Sequence, residues 1–565
     1  MSYVPPHLRN STTATTVVSN GGDHLHSELN SRQLPSFTQS KNGFISNGEY
    51  CSNDAGRNSC ATVNYLSPRG LVAPDPVFPQ WKPSERVLLF KLEQIEEIRL
   101  RLNVDVAVAM DSNPAPAPVE SFTDMCLHPS IMKDIALHDY TIPTSVQAQA
   151  MPVALSGRDL LGCAETGSGK TAAFTIPMIQ HCLAQPPLRR GDGPLALVLA
   201  PTRELAQQIE TEVKAFSRSL DSFKTAIVVG GTNIGDQRSE LRAGVNIVVA
   251  TPGRLIDHLQ QGNTSLSRIS FVVLDEADRM LDMGFEPQIR EVMHNLPKKH
   301  QTLLFSATMP AEIEALAQEY LTDPVRVKVG NVSSPTANVA QILEKVPENE
   351  KIDRLLDLLV EESAQAEKSG HPFSLTIVFV ERKTKCEEVA EALMKQGLLA
   401  TALHGGRSQS EREAALRDFR RGPTSILVAT DVASRGLDVN GVAHVINLDL
   451  PKTMEDYVHR IGRTGRAGST GQATSFYTDR DMYLVAQIRK AIADVGSGNT
   501  VTFATGKTAR RKEREAAAAH KEANIALSKL SLMGSTPINV EDKYRHMIAP
   551  AMSRKEGAAD GAWDD

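Results

Sequence analysis

The rhythm of apolar and polar positions changes several times along this chain of 565 residues, and each change marks an element. Up to about residue 75 the chain is rich in Ser, Asn, Thr and Gly, with few apolar clusters. Such a segment buries too little surface to offset its ordering entropy, so residues 1–83 are expected to be a disordered extension. After Pro83 the pattern turns helical: Leu88, Leu92, Ile95, Ile98 and Leu102 recur at spacings of three and four, with charged residues between them. This predicts an amphipathic helix that docks on the main body or on a partner. A Pro/Ala-rich spacer from Asn113 to Pro118 completes a segment spanning 84–120.

From Ser121 to about Gly496, short apolar runs alternate with helical patterns. Leu195–Ala200, Ile247–Ala250 and Phe271–Leu274 are continuous apolar runs. Runs of that kind suit a parallel sheet covered by helices on both faces. A second series begins at Leu375–Val380 and continues through Ile426–Ala429 and Val442–Ile446. Between the series, Gly330 to Asn338 is rich in Gly, Ser, Pro and Asn, as an interdomain linker would be. The pattern predicts an α/β chain with two tandem domains, 121–329 and 345–496, joined by a linker at 330–344. The remainder, 497–565, opens with Lys507, Arg510, Arg511, Lys512 and Arg514, then an Ala-rich run. That basic cluster reads equally as a phosphate contact, a nuclear address or a solvated helix face.

Composition narrows the class without naming it. With 41% hydrophobic and 23% charged residues the usage is that of a globular protein, which excludes a wholly disordered chain, a collagen-like fibre and a disulfide scaffold. The formal net charge of -6, taken alone, argues against a nucleic-acid partner; the motifs below reverse that argument. The six cysteines, at 51, 60, 126, 163, 182 and 386, form no C-x-x-C pair, so neither a zinc knuckle nor a redox dithiol is indicated. A reduced intracellular compartment is expected, with nucleus and cytoplasm both open. The opening residues lack the apolar core of a signal peptide, and no run approaches the ~20 apolar residues that span a bilayer.

Candidate chemistry begins at Ala164-Glu-Thr-Gly-Ser-Gly-Lys-Thr171, which follows an apolar run and precedes a helical one. Strand, glycine-rich turn and helix are the context a P-loop requires. Gly167 and Gly169 let backbone N–H groups converge on phosphate oxygens, together with those of Glu165, Thr166 and Ser168. In a P-loop, Lys170 is expected to reach the β- and γ-phosphates, and the Thr171 hydroxyl to ligate Mg²⁺. Ala164 replaces the first glycine of the general pattern. Asp275-Glu-Ala-Asp278 directly follows an apolar strand. A carboxylate there, Asp275, is placed to hold Mg²⁺ opposite the P-loop. Glu276 is placed to orient and deprotonate an attacking water. An acidic tetrapeptide alone is usually only a helix N-terminus; behind a P-loop it reads as the second half of a nucleotide site.

In this order, these residues resemble a DEAD-box ATP-dependent RNA helicase of superfamily 2. The likeness extends from Phe122 to near Gly496. It includes Pro201-Thr-Arg-Glu-Leu-Ala206, Gly230-Gly231, Thr251-Pro-Gly-Arg254, Ser306-Ala-Thr308, Gln409 with Arg412, Arg435-Gly-Leu-Asp438 and His459-Arg-Ile-Gly-Arg-Thr-Gly-Arg466. The resemblance implies two RecA-like domains with ATP and RNA bound across their cleft. Pro143-Thr-Ser-Val-Gln147 resembles the family's Q motif, with Gln147 reading adenine and Phe122 stacking on it. Asp139 stands where the family usually has Gly, and Ser145 where it often has Pro. A glutamine amide donates to one edge atom of adenine and accepts from another, which guanine does not satisfy.

By the same resemblance Arg463 and Arg466 are arginine fingers that reach the γ-phosphate from the second domain, and Asp438 contacts the ribose. Ser306 and Thr308 couple to Asp278. RNA is expected at Pro201, Thr202, Arg203, Gly231, Thr251 and Arg254 of the first domain, and at Gly405, Arg407, Arg412 and Thr430 of the second. Small hydroxyls, glycine amides and arginines suit sugar and phosphate, which position a strand without reading its bases. Gly406 stands where the family usually has Asp. The implied activity is RNA-stimulated ATP hydrolysis coupled to local duplex separation or remodelling of RNA–protein complexes. The alternatives are an ATP-gated RNA clamp, or a scaffold anchored on RNA. Protein partners are expected at the extensions, a membrane is not, and a monomer is the default. The Tyr3–Asn10 segment assigns no process.

Overall fold

The computed structural model describes residues 74–496 apart from 166, 190, 331–337, 371, 423, 432–438, 440 and 466–469. The disordered-extension reading before residue 74, the basic cluster near 510 and residues 331–337 of the linker lie outside the described residues. So do Thr166, Asp438 and Arg466.

Four central strands of the first domain, Leu160–Cys163, Ala196–Leu199, Ile247–Ala250 and Phe271–Leu274, are four residues long and buried on both faces, because their apolar runs carry no polar alternation. The first domain's strands are β1 (Val104–Ala107), β2 (Leu160–Cys163), β3 (Ala196–Leu199), β4 (Thr225–Val228), β5 (Ile247–Ala250), β6 (Phe271–Leu274), β7 (Gln301–Ser306) and β8 (Val325–Val329). They form one sheet in the order β1-β8-β2-β7-β6-β3-β5-β4. All its pairings are parallel except β1 with β8. Its two faces carry separate apolar cores, one built around Phe174, Phe216, Phe271 and Phe305, the other around Leu197, Val248, Met280 and Leu304.

The second domain repeats the plan with β9 (Val339–Lys345), β10 (Leu375–Phe379), β11 (Ala400–Leu403), β12 (Ile426–Ala429), β13 (Val442–Asn447) and β14 (Gly471–Tyr477). Their order is β11-β12-β10-β13-β14-β9, and all pairings are parallel. Parallel strands fed by covering helices all leave the sheet at one edge. The loops that follow β2, β3, β4, β5, β6 and β7 therefore share that edge, and the candidate motifs sit on them.

The segment 84–120 differs from its reading. The chain turns at Phe90, giving helices Glu85–Leu88 and Leu92–Arg101 in place of one. The break resets the helical phase, so Leu88 and Leu92 are 58% and 75% exposed while Val87 and Ile98 carry the burial. The sequence then extends into β1, which covers the free side of β8 and removes an open sheet edge.

A buried histidine on the helix Lys170–Leu183 gives the first domain a pH-dependent stability. His181 Nε2 lies 2.8 Å from Ser270 Oγ and 3.2 Å from Gln185 Nε2, with the rings of Phe78 and Phe271 nearby. Burial lowers its pKa from 6.5 to about 4. Between those values the unfolded chain binds the proton and the folded one does not, so stability falls as pH falls through that window and levels off below it. The shift corresponds to about 3 kcal/mol. Thermal melts of wild type and His181→Gln from pH 7 to 4.5 are expected to converge as pH drops. Parallel curves would rule out a neutral buried histidine.

Candidate active site

The turn between β2 and the helix Lys170–Leu183 is shaped by two glycines at positive φ, Gly167 at 82° and Gly169 at 96°. At Gly169 a Cβ would lie 2.6 Å from Gln147 Nε2 and 3.0 Å from Thr144 Oγ1, so a side chain has no room there. Lys170 opens the helix, is buried, and donates from Nζ to the Ala164 carbonyl at 2.6 Å. Ser168 Oγ donates to the Glu165 carbonyl at 2.8 Å. Burial raises the Glu165 carboxyl, with Lys170 opposing the shift. Thr171, half-buried, follows Lys170 in the first turn.

Gln147 lies beside this loop on the helix Ser145–Leu155. Its Oε1 accepts from Thr144 N–H at 3.0 Å, and its Nε2 donates to the Gly169 carbonyl at 3.2 Å. The side chain thus caps its own helix and touches the P-loop at once. Phe122 is 3% exposed and packs in the core, its ring centroid 6.3 Å from that of Tyr140. Asp139, where the family usually has Gly, adopts φ 57°, a left-handed conformation that Asp tolerates better than most residues.

Asp275 leaves β6 and is 3% exposed, with Oδ1 accepting from Glu276 N–H at 3.0 Å. Burial raises its carboxyl to about 7, against the pull of Lys170. Glu276 caps the helix Ala277–Asp282 at φ 49°, a backbone strain of the kind that functional sites retain. Its Oε2 is buried without a hydrogen bond, 3.5 Å from Arg279 Nε. A buried carboxylate pair with an orphaned oxygen beside a glycine cradle and a buried lysine fits a magnesium–nucleotide triphosphate.

Asp278 Oδ2 accepts from both Thr308 N–H at 3.0 Å and Thr308 Oγ1 at 2.8 Å. Ser306 Oγ instead donates to the Thr308 carbonyl at 2.6 Å and shapes the turn. Thr308 Oγ1 also reaches Glu455 Oε1 of the second domain at 3.5 Å. On that same helix, Met454–Ile461, His459 Nε2 lies 3.9 Å from Glu455 Oε1. Arg463 follows the helix, is 3% exposed, and donates from Nε to the His459 carbonyl at 3.1 Å. Arg460 is spent on structure: it forks onto Asp431 at 2.6 and 2.7 Å, donates to the Asp449 carbonyl, and lies over the Phe379 ring. The sequence reading missed Arg279, Glu455 and Asp431. Arg279 directly follows Asp278, and Glu455 stands four residues before His459, one helical turn away on the same face.

At the neighbouring loops, Pro201 and Thr202 are buried, and Thr202 Oγ1 accepts from Leu205 N–H at 3.3 Å as an N-cap. A Cβ on Gly231, at φ 77°, would lie 2.1 Å from Arg203 Nη1, so the guanidinium rests on bare backbone. Thr251 caps the helix Pro252–Gln260, and Arg254 Nη1 donates to the Thr232 carbonyl at 3.3 Å. Arg203, Arg254 and Arg412 gather here: burial lowers the Arg203 pKa first, and its two cationic neighbours lower it further. Arg412 pairs with Glu204, Arg203 Nη1 reaches Gln409 Oε1 at 3.4 Å, and Gln207 Nε2 donates to Glu413 Oε1 at 2.6 Å. The second domain's helix Gln409–Arg421 thus meets the first domain's helix Arg203–Phe216. Arg407 is turned to Glu387, at 2.9 and 2.7 Å, which with His404 brings that carboxyl down to about 2. Thr430 is buried at the end of β12, and space is open beyond Gly405.

A P-loop on one parallel sheet, facing a second sheet that supplies an arginine, defines the class of two-domain nucleotide hydrolases. Comparison narrows the class. The sequence pattern of the DEAD/DEAH box helicases matches residues 144–316, and that of the helicase conserved C-terminal domain matches 350–468. The ATP-dependent RNA helicase DBP2 of Debaryomyces hansenii is 47% identical over 378 residues, 67% of this chain and 69% of that protein. The structure of the DEAD-box helicase Mss116 bound to ssRNA and UDP-BeF is 28% identical with a TM-score of 0.61, over 69% of this chain and 81% of that one. That of Dbp5 from S. cerevisiae, bound to RNA and ADP BeF3, is also 28% identical, with a TM-score of 0.58 over 66% and 94%. The chain belongs to the DEAD-box helicase family, and its two domains have the RecA-like fold. Among the described residues no helix is long and apolar enough to cross a membrane.

Proposed function

We propose that this chain is an ATP-dependent RNA helicase that couples RNA-stimulated ATP hydrolysis to local duplex separation. One observation carries the reading: Asp278 of the acidic motif is bonded to Thr308, and Thr308 reaches Glu455 on the element that presents Arg463. The acidic motif thereby approaches the helix of the opposite domain that leads into Arg463.

In this mechanism Gln147 and Phe122 hold the adenine, and the backbone from Ala164 to Gly169 cradles the phosphates. Lys170 leaves the Ala164 carbonyl to contact the β- and γ-phosphates. Thr171 and Asp275 would hold a magnesium ion, which when bound would supply neutralising charge to the phosphates. Glu276 accepts the proton of the attacking water with its Oε2, which takes no hydrogen bond among the described residues. Arg463, with Arg466, stabilises the charge that develops on the γ-phosphoryl group, and Asp438 contacts the ribose. Placing the arginine on the opposite domain makes hydrolysis conditional on closure.

RNA lies along the loops bearing Pro201, Thr202, Arg203, Gly231, Thr251 and Arg254, and continues to Gly405, Arg407, Arg412 and Thr430. Arg412 and Arg407 exchange Glu204 and Glu387 for phosphates as the strand enters. The contacts are to sugar and phosphate, so the core is sequence-independent and selects RNA through its 2′-hydroxyls.

The test is ATP turnover with single-stranded RNA, with DNA of the same sequence and with neither. RNA alone is expected to stimulate it, at least tenfold. ATP-dependent RNA binding without stimulated turnover would replace the helicase with a clamp whose hydrolysis only times release.

A further inference from the structure

The flank Val77–Val119 lies ahead of the residues that the helicase pattern covers; Ser112 and Asn113 bond to Arg158 and Asp323, while three other groups of its polar contacts fall on or beside the elements that carry the candidate nucleotide site. Trp81 Nε1 donates to the Met125 carbonyl at 2.7 Å. Ser84 Oγ donates to Asp124 Oδ1 at 2.7 Å, Ser84 N–H donates to the Asp124 carbonyl at 2.9 Å, and the Arg86 guanidinium binds Asp124 Oδ2. These bonds enclose the turn Thr123–Met125, for which Phe122 is the N-cap.

A second group holds the helix Ser145–Leu155. Gln149 is fully buried two residues beyond Gln147. Its Oε1 accepts from Arg99 Nε at 3.0 Å, and its Nε2 donates to the Pro116 carbonyl at 2.9 Å. Val119 N–H donates to the Ala148 carbonyl at 2.8 Å. A third contact lies two residues past the C-terminal end of the P-loop helix, where the Val77 backbone and the Gln185 amide exchange hydrogen bonds of 3.0 and 2.6 Å.

We propose that this flank is a positioning strap for the base-reading side of the nucleotide site, with Asp124 and Gln149 as its positioning residues. Covering the sheet edge is β1's part and needs apolar contact and a strand ladder. It does not need directional bonds onto the turn of Phe122 and the helix of Gln147, with a further one just past the end of the helix of Lys170. Hydrogen bonds of that kind fix orientation within a few tenths of an ångström, and a base site depends on such placement. Asp124 is held as the carboxylate by Ser84 first and by Arg86, so the anchor stays charged at neutral pH. The inference rests on the proposed roles of Phe122 and Gln147.

The experiment uses the full chain with saturating single-stranded RNA and compares ATP with GTP. In the double variant Ser84→Ala, Arg86→Ala, both side chains lie at or near the surface, so the fold is retained and the melting temperature stays within about 2 °C. KM for ATP is expected to rise 3- to 10-fold, with kcat within twofold and KM for GTP unchanged, so that the preference for ATP falls. Asp124→Asn, which keeps shape and one acceptor, is expected to give a smaller rise of the same kind. An unchanged KM for ATP, or equal rises for both nucleotides, would reduce the flank to a cover and overturn the proposal. Gln147→Ala separates the two readings. If it raises KM for ATP while the flank variants do not, only the strap fails. If it leaves KM for ATP unchanged, the base-site assignment fails and the strap with it.

Discussion

Arg463→Ala is expected to lower kcat for ATP hydrolysis by ~10³–10⁵-fold while the chain stays folded and still binds ATP and RNA. A guanidinium supplied from the opposite domain meets charge that is greatest in the transition state, so its loss appears in kcat more than in KM. The side chain is buried and aimed by its Nε bond to the His459 carbonyl. Arg460 is the internal control, three residues earlier in the same motif. Its charge is satisfied by Asp431, Asn447 and the Asp449 carbonyl. Arg460→Ala therefore removes the fork onto Asp431 and the bond to the Asp449 carbonyl from a buried position over the Phe379 ring, and is expected to lower the melting temperature by several degrees. Single-turnover rates beside thermal melts separate the two arginines. An Arg463→Ala enzyme within tenfold of wild type would remove Arg463 from the chemistry.

Glu276→Gln is expected to lower turnover by ~10²–10⁴-fold, the usual share of a general base, with little change in ATP or RNA affinity. The amide keeps the size of the carboxylate and tolerates the left-handed backbone at φ 49° about as well. Only the capacity to take a proton is lost. Because closure does not require that proton transfer, the variant is expected to stay bound to RNA as long as ATP is present. Slow release of labelled RNA from the ATP-bound variant, measured against wild type, checks this. Release at the wild-type rate with turnover within twofold would mean that another group activates the water.

The parallel sheets were legible from their central strands, unbroken apolar runs such as Ile247–Ala250 and Phe271–Leu274, whereas outer strands such as Val325–Val329 and Val339–Lys345 carry polar residues and did not stand out. The phosphate loop and the acidic motif were legible because Gly169, Lys170, Asp275 and Glu276 are local in sequence and stand at strand ends. What stayed hidden depends on contacts across long separations. The Thr308–Glu455 approach joins residues 147 apart, and the Arg203–Gln409 contact joins residues 206 apart. No spacing rule reaches so far. The leucines of 84–102 misled for a local reason: one helical phase was assumed across Phe90, where the backbone turns and the phase begins again. β1 was missed because Val104-Asp-Val-Ala107 is too short to stand out until β8 is beside it.

The two hydrogen bonds of Gln147 have a consequence for how nucleotides are told apart. A primary amide offers two N–H donors and two acceptor positions on its oxygen. Thr144 N–H occupies one acceptor position and the Gly169 carbonyl takes one donor. One of each is left, and the amide cannot turn over without breaking both internal bonds. Adenine's N7 and 6-amino group need one donor and one acceptor, whereas guanine turns its carbonyl oxygen toward the amide oxygen. The orienting entropy is thus met when the chain folds, before any nucleotide arrives. On the proposed assignment of Gln147 to the base, guanine is expected to be rejected by repulsion between two fixed oxygens rather than by the loss of a flexible contact.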